Sequence, residues 1–181
     1  MKKLLLLMAA VFIAAVSNAQ FSKATLQATG LTCAMCSNAI NKAVHSIPFV
    51  ESVKSDIKNS SFDIVFKKDG EVNIDALKDA VEDAGFSVGS LKITGTFSDV
   101  RIEKDKHVKI GNDVFHFLNV DSRVLTGEQA ITVVDKNFVT EKQFKKYSAA
   151  TKMSCVKTGK AASCCAQDGI AADARVYHVI L

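Results

Sequence analysis

Two cysteines three positions apart carry the strongest chemistry in this chain: Cys33 and Cys36, within Gly30-Leu31-Thr32-Cys33-Ala34-Met35-Cys36. Strand-like alternation gives way to helical spacing at this stretch, so Cys33 is expected in the connecting loop and Cys36 in the first helical turn. Unpaired backbone N–H groups and the positive helix end favour thiolate over thiol there. Two neighbouring thiolates form a ligand pair for Cu(I), Zn(II), Cd(II) or Hg(II). Met35, between them, is expected to point outward as a solvent-exposed loop residue, the alternative being a thioether offered to incoming Cu(I).

Three further thiols stand near the C-terminus: Cys155, with Met153 two residues before it, and the vicinal pair Cys164 and Cys165 in a run of small residues. They read either as a second soft-metal site or as a disulfide from Cys155 to one of the pair, which leaves one thiol over. The histidines are less informative. His45 lies in a helical stretch among polar neighbours, and His107, His116 and His178 fall on strands at no metal-ligand spacing. Their default is surface or internally satisfied imidazole, but His116 or His178 would complete a site with Cys155 if their strands are neighbours. There is no Ser/His/Asp arrangement, phosphate loop or paired-carboxylate motif, so no enzyme is expected.

Residues 21–93 have the pattern βαββαβ. Ala24, Leu26 and Ala28 alternate with polar residues as in a half-buried strand. Ala39, Ile40, Ala43, Val44 and Ile47 follow at helical spacing, and Pro48 ends the helix. Val50 to Ile57 and Phe62 to Phe66 form a hairpin around Asn59-Ser60-Ser61. Asn73 caps a second helix bearing Ile74, Leu77, Val81 and Ala84, stopped by Gly85, and Val88 to Ile93 is the last strand. The fold class is therefore α+β, with a ferredoxin-like sandwich over residues 20–93.

Residues 94–181 read as a small, mainly-β domain. Strands are expected at Phe97–Glu103, His107–Ile110, Val114–Val120 and Ala130–Val134, with turns at Gly111-Asn112-Asp113 and Thr126-Gly127-Glu128. Thr140 and Gln143 match a capping box, with Val139 and Phe144 placed as a hydrophobic staple. Met153–Thr158 and Arg175–Ile180 supply two more strands around a loop at 159–174, an order that fits an OB-like barrel. No Gly/Ser or Pro linker separates the halves, so Ile93 to Phe97 is expected to run from one sheet into the next.

Residues 1–19 form a separate object: Lys2 and Lys3, an apolar run from Leu4 to Val16, then Ser17-Asn18-Ala19 before Gln20. This is the pattern of a secretory signal peptide, too short for a span of about 20 apolar residues. The mature chain is expected to be soluble and periplasmic or secreted. Of 23 basic and 19 acidic residues, the segment removes Lys2 and Lys3 and no acid, which leaves a nearly balanced and scattered charge. No nucleic-acid partner is expected from that distribution.

The cysteine loop followed by Ser37, Asn38, Ala39 and Ile40, set within βαββαβ spacing, resembles the heavy-metal-associated domain over residues 23–93. That family includes copper chaperones, the tails of copper-exporting ATPases and periplasmic mercury-binding proteins. The resemblance implies that Cys33 and Cys36 hold Cu(I) nearly linearly, and that a metal-transporting membrane protein or another metallochaperone is the partner. Leu31 stands where the family usually has Met, a packing residue beneath the loop, and Phe86 matches an aromatic position near the site. The expected function is capture or relay of a heavy-metal ion, Cu(I) first. The alternatives are a mercury or zinc/cadmium scavenger and a thiol oxidoreductase. A structural disulfide is disfavoured because Cys-x-x-Cys closes a very small loop. Thioredoxin-like domains resemble one another in a cis-Pro facing the dithiol, and the single Pro48 stands at a helix end instead.

Overall fold

The structure, a computed structural model, describes residues 19–68 and 70–181. The segment read as a signal peptide lies outside the described residues, save Ala19. The first half follows the expected order: β1 (Ala19–Thr29), α1 (Ala34–His45), β2 (Val50–Asp56), β3 (Ser61–Phe66), α2 (Ile74–Asp83) and β4 (Ser87–Ile102). The Asn73 side chain accepts a hydrogen bond from Ala76 N at 3.1 Å and so caps α2. Gly85, at φ +86°, terminates it in the left-handed conformation that suits glycine. The apolar stripes of α1 and α2 bury Ile40, Val44, Ile74, Leu77 and Val81 against Ala24, Leu26, Ile64, Leu91 and Ile93 of the sheet.

The second half comprises β5 (His107–Ile110), β6 (Asp113–Phe117), β7 (Arg123–Val133), α3 (Glu141–Ser148), the single turn α4 (Cys155–Thr158), a 3-10 turn at Ser163–Asp168 and β8 (Val176–Ile180). It is mainly strands, as expected, but they do not close into the OB-like barrel. All eight strands form one sheet in the order β2-β3-β1-β4-β7-β8-β6-β5. The reason is the length of β4. Residues 87–97 of it pair with β1 and residues 91–102 pair with β7, from Leu91↔Val133 to Ile102↔Arg123. The boundary expected at residue 93 thus falls inside a strand. Beyond β7 the sheet continues through β8, whose pairing with β6 is parallel.

Two local expectations also change. Thr126-Gly127-Glu128 is not a turn but part of β7, where Gly127 takes φ +68° opposite Phe97, beside the bulge between Phe97 and Val100. Met153–Thr158 is not a strand: Cys155 enters one apolar cluster and Val156 another, so consecutive side chains are both buried, which a single helical turn permits here. The capping box of α3 is present, with Gln143 N donating to Thr140 Oγ1 at 3.4 Å and Thr140 N to Gln143 Oε1 at 3.1 Å. Val139 and Phe144 lie in one cluster, as the staple requires.

The halves are joined by packing as well as by β4. Phe21 of β1 meets Phe97 of β4 and Phe115 of β6 edge-on, at centroid distances of 6.3 and 5.8 Å. Such pairs add roughly 0.5–1.5 kcal/mol each beyond area burial. Arg175, just before β8, reaches back to Asp75 of α2 with two bonds of 2.9 and 3.0 Å. A third goes to Asp135 at 2.8 Å, and Tyr177 Oη donates to Asp75 at 3.2 Å.

Asp113 sits at this seam. Burial, together with the negative charges of Glu71 and Asp75, raises its carboxyl to about 6, against the opposing pull of Arg175. Between its ordinary value near 4 and about 6, the folded chain holds a proton that the unfolded chain does not. Stability is therefore lost across that window as pH rises. Asp113→Asn should leave the urea midpoint almost unchanged at pH 4. At pH 7.5 it should stabilise by on the order of 1 kcal/mol, discounted for partial exposure; equal midpoints at pH 7.5 would refute the assignment.

Candidate functional site

Cys33 and Cys36 occupy the junction of β1 and α1, where the sequence places them. Gly30 takes φ +84°, the left-handed region, and lets the chain leave the strand. A Cβ there would lie 4.0 Å from Phe86, so the ring supports the base of the loop. Leu31 packs on the core from the same segment, consistent with its expected supporting role. Cys33 is the N-cap of α1 in extended conformation and makes no side-chain cap bond. Its carbonyl accepts from Ser37 N at 3.3 Å.

The two sulfurs are 3.1 Å apart. Cys33 is exposed and Cys36 half-buried, while Met35 is 83% exposed and points away from the core. The Cys36 thiol is held below its ordinary value, chiefly by the hydrogen bond from Cys33 and then by the backbone N–H bonding associated with Thr32; slight burial works the other way. The loop thus presents a thiol of lowered pKa in the first turn of a helix, next to a second, exposed sulfur. That chemistry is soft-ion ligation or thiol exchange.

A family model for the heavy-metal-associated domain matches residues 25–87. The copper chaperone CopZ of Staphylococcus aureus (strain MRSA252) is 30% identical over 67 residues, which are 37% of this chain and 97% of that protein. The chain belongs to the heavy-metal-associated domain family. A probable copper-transporting ATPase of Arabidopsis thaliana, HMA5, is 28% identical over 71 residues, and the chain spans 7% of that relative's length. The solved structure of a CopZ metallochaperone has a TM-score of 0.35 at 30% identity and covers 37% of this chain and 98% of that one. The crystal structure of oxidized MerP from Ralstonia metallidurans CH34 also has a TM-score of 0.35, at 27% identity over 38% of this chain and 97% of that one.

The heavy-metal-associated segment ends before the other three thiols, which the fold gathers into one buried region. Cys155 and Cys165 are buried and Cys164 is half-buried; all are free thiols. Their sulfurs lie within 4.8 Å of one another, with Cys164 and Cys165 3.5 Å apart. Burial and the neighbouring Cys165 and Cys164 push the Cys155 thiol far up. Cys164 goes the other way: burial raises it, but bonds from the Ser154 hydroxyl, at 3.4 Å, and from backbone amides outweigh this and leave it at about 6. Cys155 also faces two imidazoles, His107 Nε2 at 3.6 Å and His178 Nε2 at 3.4 Å. His178 was among the histidines expected to reach Cys155; His107 was not. A signal for it exists in the sequence, because a two-residue turn at Gly111-Asn112 places His107 across from His116.

The hydrogen bond inside the first pair yields a test. The Cys36 alkylation rate, followed by peptide mass spectrometry against pH, should reach half its maximum below the unperturbed thiol value of about 8.5. In Cys33→Ala that midpoint should move up, since the largest stabilising contact is removed. A midpoint unmoved by Cys33→Ala would show that the pair is not coupled as described.

Proposed function

We propose that this chain is an exported protein that captures or relays a soft-metal ion, Cu(I) first, between the thiolates of Cys33 and Cys36. The observation that carries this reading is the pair of solvent-facing sulfurs 3.1 Å apart at the start of α1, inside the segment that matches the heavy-metal-associated domain. Thiolates are soft donors and favour Cu(I) over harder ions. Two metal–sulfur bonds of about 2.3 Å in a line need the sulfurs opened by roughly 1.5 Å. Rotation of the exposed Cys33 side chain supplies that without moving the buried core.

Export is supported by the basic, apolar and small-residue order of residues 1–19. A metal-transporting membrane protein or another metallochaperone is the partner most consistent with relatives named as a copper chaperone and a probable copper-transporting ATPase. Hg(II), Cd(II) and Zn(II) compete for the same donors, so selectivity rests on supply and geometry.

An anaerobic competition titration of the reduced full chain against a Cu(I) chelator tests the reading. Cys33→Ser and Cys36→Ser should each weaken the loop equivalent by more than about 100-fold, since removing even a supporting contact to a ligand costs 10–100-fold. Unchanged affinity in both variants removes the proposed site. Parallel titrations with Hg(II), Cd(II) and Zn(II) rank the ions, and Cu(I) falling behind Cd(II) and Zn(II) would count against a copper role.

A further inference from the structure

Strands β5, β6 and β8 lie side by side, and their register sets three histidines in one row: His107 opposite His116, and His116 opposite His178. Alternate residues of a strand face opposite sides of the sheet. The adjacent Phe115, Tyr177 and Val179 enter the core shared with α1 and α2, so the histidines occupy the other face. Their ring centroids are 4.9 and 5.2 Å apart, and all three side chains are fully buried. The turn α4 sets the Cys155 thiol against this row. Its sulfur and one nitrogen each of His107 and His116 all lie within 4.8 Å of one another, and His178 Nε2 is 3.4 Å from it.

The outer nitrogens are accounted for in two of the three rings. His107 Nδ1 lies 2.8 Å from Asp168, which also accepts from the His107 backbone N–H at 3.1 Å. His178 Nδ1 lies 2.6 Å from Asp135, and Asp135 is itself held by Arg175. Each carboxylate accepts a hydrogen bond from Nδ1–H and so turns the Nε2 lone pair toward Cys155, the supporting arrangement that orients imidazole ligands. His116 is different. Neither of its nitrogens has a hydrogen-bond partner among the described residues, and its nearest acid, Asp105, is 3.7 Å away, beyond hydrogen-bond range. A fully buried imidazole without a partner requires an explanation, and ligation of a metal ion is one.

We propose that Cys155, His107 and His116, with His178 beside them, form a second metal site, selective for a borderline divalent ion such as Zn(II). One thiolate among imidazoles is a harder donor set than the paired thiolates of the loop and suits a four-coordinate divalent ion. Binding displaces the Cys155 proton to solvent. Cys155 is also shared with Cys164 and Cys165, which would instead make a softer, all-sulfur arrangement. The orphaned His116 and the two carboxylate-oriented imidazoles favour the mixed site.

The test uses the reduced full chain carrying Cys33→Ser and Cys36→Ser, so that the loop is silent. It should take up one equivalent of Zn(II), or of Co(II) with a thiolate-to-cobalt absorption band. Cys155→Ser should abolish the band and His116→Gln should weaken binding at least ten-fold, while Cys164→Ser leaves both unchanged. With the loop cysteines intact, both damaging variants should still load Cu(I) there, which shows that they fold. X-ray absorption of the Zn(II)-loaded loop variant needs no change near the site and should report one sulfur with nitrogen neighbours. No uptake, an all-sulfur shell, or loss of binding in Cys164→Ser equal to that in Cys155→Ser overturns the proposal.

Discussion

The pairing of β4 on both of its edges is the constraint on which the rest of the molecule depends. Ser87–Ile102 completes the βαββαβ unit by pairing with β1, and the same strand lays down the register for β7. Every later strand inherits its position from that pairing, through β8 to β6 and β5. Because side chains alternate strictly along a strand, one register also decides faces. Val133 opposite Leu91 sends Val179 and Tyr177 toward the helices, and thereby sends His178 and His116 to the other side.

Arg175 ties the charged groups to this frame. Its guanidinium bridges Asp75 of α2 and Asp135, and Asp135 in turn fixes His178 against Cys155. A continuous chain of hydrogen-bonded groups thus runs from the metal-binding family's second helix to the thiol cluster on the far face. Buried ion pairs of this kind contribute modestly to net stability, because desolvation offsets attraction, but removal of one partner is costly. Their effect here is orientation: the guanidinium leaves Asp135 one oxygen for His178 and so fixes which ring nitrogen faces sulfur.

Local signals were legible in the sequence. The Asn73 and Thr140 caps, the Gly85 stop, the alternation in β1 and the cysteine loop all depend on residues within a few positions of each other, and all lie where the spacing put them. Failures came where long-range pairing decided. Alternation in Met153–Thr158 imitated a strand, but the demand to bury both Cys155 and Val156 curled it into a turn. The order of strands and helix fits a barrel, whereas closure depends on which edges pair. The histidine row was half legible: the hairpin turn at Gly111-Asn112 pairs His107 with His116, but the parallel partner His178 lies across more than sixty residues of chain and no local pattern announces it.

The contrast in burial between the two thiol regions sets two clocks. Cys33 is exposed, and exposed side chains change rotamer in picoseconds to nanoseconds. A partner or reagent can reach that sulfur as fast as the two surfaces meet, with no prior rearrangement of the fold. Cys155, at the start of α4, is fully buried against Val114, Val176 and Cys165 of the turn at Ser163–Asp168, so anything reaching it must wait for that packing to open, a local unfolding event on the microsecond-to-second scale. The two thiol regions of one chain are therefore separated by rate of access rather than by donor chemistry.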